Sequence, residues 1–227
     1  MSAWQQILHG FDFSFLAAIP FRAIPALLCI TLHELSHGAA AWMLGDPTAK
    51  NAGRLTLNPL RHLDLFGFVM LIVARVGWAK PVPVDMRRFK KPRRDMAITA
   101  LAGPAANFLI AALFMLLLGF CLPLYEKSYG PYLLQFLQVT AQLSLGLGIF
   151  NLLPIPPLDG SKILFALLPD ESYQKLMQYE RYGMLLLIAL AYTGVTGSLV
   201  SRILNRAFDW LLPLASWGAN LSMNWFG

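Results

Sequence analysis

Apolar residues run in long stretches separated by short polar breaks, and the lengths of the stretches set the elements. Residues 96–121 and 131–152 are each apolar over the length that a helix needs to cross a bilayer, about 20 residues. Residues 182–200 form a further stretch of this kind. Residues 11–32 are also apolar, but Pro20, Arg22 and Pro25 interrupt them. Proline lacks a backbone donor and clashes with the preceding turn. The pattern therefore predicts a first helix to about Ile19, a turn, and a second helix from about Ala23 to Leu44. Gly45, followed by Asp46-Pro47, supplies the stop. The stretch at 65–74 is too short to span and is expected to be re-entrant, interfacial or covered by protein.

The polar breaks carry their own patterns. Arg54-Leu55-Thr56-Leu57 alternates and predicts a short strand. Residues 77–84 read as an edge strand, because Pro81 and Pro83 suit an edge and not a sheet centre. Trp78–Val84 would then be able to pair with an extended peptide. Inside the 96–121 stretch, Ala102-Gly103-Pro104-Ala105-Ala106-Asn107 offers small residues for close helix packing, and Pro104 marks a kink or the true start. Pro154, Pro156 and Pro157 exclude a regular helix there. Residues 161–181 carry mixed charge and predict a short interfacial helix. The tail, with Trp210, Trp217 and Trp225, has the character of a membrane-interface segment. The fold class expected is an α-helical polytopic membrane protein. It is a multi-helix bundle with broken or re-entrant segments and a short membrane-associated β-hairpin or sheet.

Composition supports this picture. Of the 227 residues, 57% are hydrophobic and 13% charged, where a soluble domain carries about 25% charge. That excludes a disordered chain and an ordinary cytosolic enzyme. The formal charge is +6. It matches one window, Lys80–Arg94, in which seven basic residues face the single acid Asp85. A basic loop before an apolar stretch reads as a cytoplasmic topology determinant and as a contact for anionic lipids, not as a nucleic-acid site. With this loop in the cytoplasm, 96–121 runs outward and 131–152 returns. Cys29 and Cys121 lie in apolar runs outside any CxxC pair and read as small buried hydrophobes. The N-terminal residues lack a basic n-region, so no removable signal peptide is expected.

Candidate chemistry sits in the second helix, at His33-Glu34-Leu35-Ser36-His37. Residues four apart share a helix face, so both histidines can ligate one zinc ion. Glu34 lies beside them as a base for water. Three ionisable groups in an apolar helix are costly without a function. Zinc needs a third ligand and an open position. His9 lies outside the expected core, and Asp64 lies nearer the surface. Asp159, between the Pro-rich break and Gly160, is the best placed; the alternative for it is a helix cap or turn former. His62 is left with three roles: a hydrogen bond behind the ligands, the metal itself in a closed state, or loop structure. His33 precedes the helix end by about 16 Å at 1.5 Å per residue, so both candidate sites fall at a similar depth below the cytoplasmic surface.

Two separated motifs, HELSH at 33–37 and NLLPIPPLDG at 151–160, resemble the site-2 protease family of intramembrane zinc metalloproteases, the M50 peptidases. The stretches GDPTAKNAGRLTLNPLRHLD, GWAKPVPV and AGPAAN are similar to the small bacterial form that lacks a PDZ domain. The resemblance covers about residues 20–165 of a single membrane-embedded domain, 1–227, with a C-terminal span and tail at 182–227. It implies one zinc ion per chain held by His33, His37 and Asp159, with Glu34 as general base. It also implies that Asn151 lies near the catalytic centre, on the substrate backbone or the developing oxyanion. The implied substrate is a transmembrane or membrane-proximal segment of a protein, cut at a cytosol-facing site in a multi-pass cell-membrane enzyme. Two other classes also place His, Glu and Asp in membrane helices: a metal-ion transporter or channel, and a non-catalytic scaffold with a structural zinc site. A transporter would be expected to show related halves, and no internal repeat is visible.

Overall fold

The computed structural model describes residues 14–64, 79–169, 182–193 and 195–226. The chain order is α1 (Ser14–Met43), α2 (Thr48–Asn51), α3 (Pro92–Phe120), α4 (Gly130–Asn151), α5 (Asp159–Ala166), α6 (Gly183–Tyr192) and α7 (Val195–Phe226). Short 3₁₀ turns lie at Pro59–Arg61, Met86–Arg88 and Leu122–Glu126. α3 is the central element, packed by α1, α4, α5 and α7. With 29 and 22 residues, α3 and α4 are long and apolar enough to cross a membrane. Between Asp95 and its end at Phe120, α3 contains no charged residue.

α1 departs from expectation. It is one helix through Pro20 and Pro25, with no turn between them. A proline inside a helix costs about 3 kcal/mol in water. Here Pro25 is fully buried, and α1 packs on both α3 and α4, which offsets the lost backbone bond. Pro104 inside α3 and Pro213 inside α7 are tolerated as well. The stop after α1 is as expected: Gly45 has φ +107°, the left-handed region that favours glycine. The next residue, Asp46, is fully buried. It accepts from the Thr48 N–H at 2.9 Å and the Asp85 N–H at 2.7 Å, tying the end of α1 to the basic loop.

α3 starts earlier than the apolar stretch, at Pro92 in its first turn. Asp95 reaches back to accept from the Lys91 N–H at 2.9 Å. The expected strand at 54–57 is a series of bends. Leu55 seats against Gly38 of α1 instead of facing a partner strand. Among the described residues there is no β-strand, only an isolated antiparallel bridge between Leu63 and Ala79. The stretch 65–74, Trp78 and residues 170–181 lie outside the described residues.

The C-terminal quarter also differs. The expected span at 182–200 is two elements, α6 and the start of α7, and the expected interfacial tail is the body of α7. Val200, Leu204, Ala207, Phe208 and Leu211 pack on a core of Ala111, Leu145 and Ile149. These positions recur at helical spacing. Further along, the backbones of α3 and α7 nearly touch. A Cβ on Gly119 would lie 1.8 Å from the Ala215 carbonyl oxygen, and one on Gly218 would lie 2.1 Å from that of Leu116. Only glycine permits such an approach.

Candidate metal centre

α1 carries His33 and His37 one turn apart, and both are buried. Their rings meet edge to face with centroids 4.5 Å apart, and their Nε2 atoms lie 3.0 Å apart. The Asp159 Oδ2 atom approaches both, at 3.2 Å from His33 Nε2 and 3.1 Å from His37 Nε2. All three ligand atoms fall within 4.8 Å of one another. Asp159 is the first residue of α5, reached after the Pro-rich turn. Gly160 allows that placement: a Cβ there would lie 2.2 Å from the Leu152 carbonyl oxygen. Lys162, one turn on, puts its ammonium 3.9 Å from the other Asp159 oxygen.

α3 forms the back wall. The Thr99 carbonyl lies 2.7 Å from His37 Nδ1, so that nitrogen carries the proton and donates. His37 Nε2 is then left as a bare lone pair facing the centre. Asn107 is fully buried, and its side-chain amide lies 3.2 Å from His33 Nδ1. Among the described residues its Oδ1 has no partner. Amide O and N are assigned from the hydrogen-bond network. Turning the amide over lets Oδ1 accept from His33 Nδ1–H, which leaves His33 Nε2 bare as well. Two nitrogen lone pairs and a carboxylate oxygen then converge at about 3 Å. Such a cluster repels itself unless a cation lies inside it. Tetrahedral zinc with ligands at about 2.0–2.1 Å would hold them roughly 3.3 Å apart. The donor set fits zinc.

Gly103 lets α3 come this close. A Cβ there would lie 2.4 Å from His37 Nε2 and 2.7 Å from His33 Cε1. Glu34 sits on the adjacent face of α1, where its Oε2 accepts from the Val82 N–H at 2.9 Å. Val82, between Pro81 and Pro83, keeps its N–H, and that donor goes to Glu34.

The predicted residues thus divide. His33, His37 and Asp159 come together across more than 120 residues of chain. Asn151 ends α4, and its amide donates to the Leu147 carbonyl at 3.0 Å, within its own helix. His62 is buried; its Nε2–H donates to the Thr56 carbonyl at 2.9 Å, a loop contact. Thr99, Gly103 and Asn107 also belong to the site, brought there by the packing of α3 on α1. An asparagine inside an apolar span was the available signal for Asn107.

Known proteins bear on this arrangement. The family model described as Peptidase family M50 matches residues 123–191. The chain is 40% identical over 209 residues to a Bacillus subtilis protein named "Putative zinc metalloprotease YwhC", covering 88% of this chain and 93% of that protein. It is 34% identical over 200 residues to "Putative zinc metalloprotease Rip2" of Mycolicibacterium smegmatis, covering 84% of this chain and 70% of the relative. The protein of the same name in Mycobacterium tuberculosis is 32% identical over 173 residues, 72% of this chain and 63% of the relative. No solved structure matches the chain significantly.

Proposed function

Since the chain belongs to peptidase family M50 and is a zinc metalloprotease, we propose that it hydrolyses peptide bonds in or near transmembrane segments of other membrane proteins. The observation that carries this reading is the convergence of His33 Nε2, His37 Nε2 and Asp159 Oδ2 between apolar helices. In this reading His33, His37 and Asp159 hold the ion, and Asn107 and the Thr99 carbonyl fix the two imidazoles with Nε2 inward. When bound there, zinc would supply Lewis-acid chemistry to the scissile carbonyl and to the attacking water. Glu34 accepts the proton of that water and delivers it to the leaving amine. Asn151 is assigned to the substrate backbone or to the oxygen that gains charge.

The enzyme is read as multi-pass in the cell membrane, with the centre opening toward the cytoplasmic side. The basic loop supports that orientation. Within it, Arg87 pairs with Asp85 at 2.9 Å and Arg94 with Asp95 at 2.7 Å. Lys80, Lys90 and Lys91 are exposed and point to anionic lipid headgroups as partners. A transmembrane substrate must unwind before cleavage, since helical carbonyls are already bonded. Purified protein in lipid, given a helical model substrate, tests the reading. Wild type cleaves, and Glu34→Gln keeps its zinc and loses cleavage. Unchanged cleavage by Glu34→Gln would remove Glu34 from the reaction.

A further inference from the structure

Two buried polar residues, Arg54 and His62, lie outside the zinc-binding cluster, and both bond the short segment that touches Glu34, Arg54 through its side chain and His62 through its backbone carbonyl. Arg54 is 7% exposed and His62 is 1% exposed. The Arg54 guanidinium donates to the Lys80 carbonyl at 2.5 Å. The His62 carbonyl accepts from the Lys80 N–H at 2.9 Å. Both backbone groups of Lys80 are therefore held. The neighbouring pair Leu63 and Ala79 forms the isolated bridge. The His62 ring in turn is locked onto the Thr56 carbonyl, which closes the 56–62 loop beneath the segment.

From that anchor the chain runs Pro81-Val82-Pro83. Each proline fixes its own φ near −65° and restricts the residue before it to extended conformations. Lys80 and Val82 are the residues so restricted. The Val82 side chain packs against Gly38, where a Cβ would lie 3.3 Å from its Cγ1 and 2.9 Å from Leu55. Gly38 directly follows His37 on α1. Val82 is thus seated on the helical turn that bears the cluster, and its N–H reaches Glu34 Oε2 at 2.9 Å.

We propose that residues 79–84 form a backbone clamp that aims the Glu34 carboxylate, with the Val82 N–H as the aiming group and Arg54 and His62 as positioning residues that hold it in place. The clamp rests on the reading of Glu34 as the base. By occupying Oε2, the Val82 N–H fixes the carboxylate rotamer and leaves Oε1 to take the proton from water. The role of His62 follows: it acts through Lys80 and Val82, not at the metal.

The experiment compares Val82→Pro, which removes the N–H, with Val82→Ala, which keeps it, in purified full-length protein with a helical model substrate. The clamp predicts that Val82→Pro loses about 10–100-fold in kcat, the range for groups that orient active-site residues. KM and zinc content stay at wild-type values, and Val82→Ala restores most of the rate. Arg54→Met lowers kcat in the same way and adds little in the Val82→Pro background. Wild-type or faster turnover by Val82→Pro overturns the clamp, as does an equal loss in Val82→Ala. Should Val82→Pro fail to fold, amide exchange decides. Glu34→Ala must speed exchange at Val82 while Lys80 stays protected, and unchanged exchange at Val82 overturns the proposal. Full cleavage by Glu34→Gln would instead overturn the reading of the base.

Discussion

Each imidazole of the cluster has two nitrogens and needs both of them placed. The Thr99 carbonyl and the Asn107 side chain take the outer nitrogens, and the inner ones face Asp159. Thr99 contributes only its backbone carbonyl to His37, so that bond survives a change of side chain, whereas the bond from Asn107 does not. Asn107→Leu leaves His33 Nδ1–H buried without an acceptor, and a zinc affinity lower by about 10–100-fold is expected. Asn107→Asp, which keeps the acceptor, should lie near wild type. Chelator competition on the purified protein measures both. Gly103→Ala is the complementary steric test: its methyl would enter the space of the His37 ring. Zinc should be lost while the helical signal in circular dichroism persists. At this scale the pairing of His33 and His37 is legible from residue type and spacing, because a helix places positions four apart on one face, and the nearness of Asp159 from its place between the Pro-rich break and Gly160. The groups behind them are not. Asn107 and Gly103 matter through the crossing of α3 over α1, which no local pattern encodes.

Helices here are decided by packing more than by propensity. Pro20 and Pro25 predict a break, yet α1 runs through both. The sequence pattern records the cost of a proline but not the contacts that offset it. In α7 the tryptophans Trp210 and Trp217 are exposed, while its small residues dock it on α3, a contact that the tryptophan pattern does not record. That docking yields a paired prediction. Gly218→Val forces a side chain into the Leu116 carbonyl, and overpacking of this kind costs about 1–3 kcal/mol. Gly197, also on α7, has nothing within 4 Å of its Cβ position. Gly197→Ala should be neutral or stabilising by up to about 1 kcal/mol, since glycine is the poorer helix former. Thermal unfolding in detergent separates the two. If Gly218→Val melts with wild type, the α3–α7 contact is not as close as described.

The molecule as a whole separates its charge from its apolar bulk. The excess positive charge is confined to the loop before α3. Much of it is held locally by Asp46, Asp85 and Asp95, which fixes the loop over the end of α1. Lys90→Gln with Lys91→Gln should lower the amount of anionic lipid retained by the detergent-purified protein and leave neutral lipid unchanged, as mass spectrometry of the co-purified lipid would measure. The helical class and the metal-binding cluster were legible from hydropathy and two motifs. The arrangement of residues 54–64 and 79–84 was not, since irregular backbone held by single side chains has no periodicity to read.

Whether His33, His37 and Asp159 hold one zinc ion inside this bundle is read by X-ray absorption at the zinc edge. One zinc per chain is expected, with two imidazole nitrogens and a carboxylate oxygen at about 2.0–2.2 Å, and an altered shell with weakened retention in Asp159→Ala. A sulfur shell, or a zinc spectrum unchanged by Asp159→Ala, would contradict it.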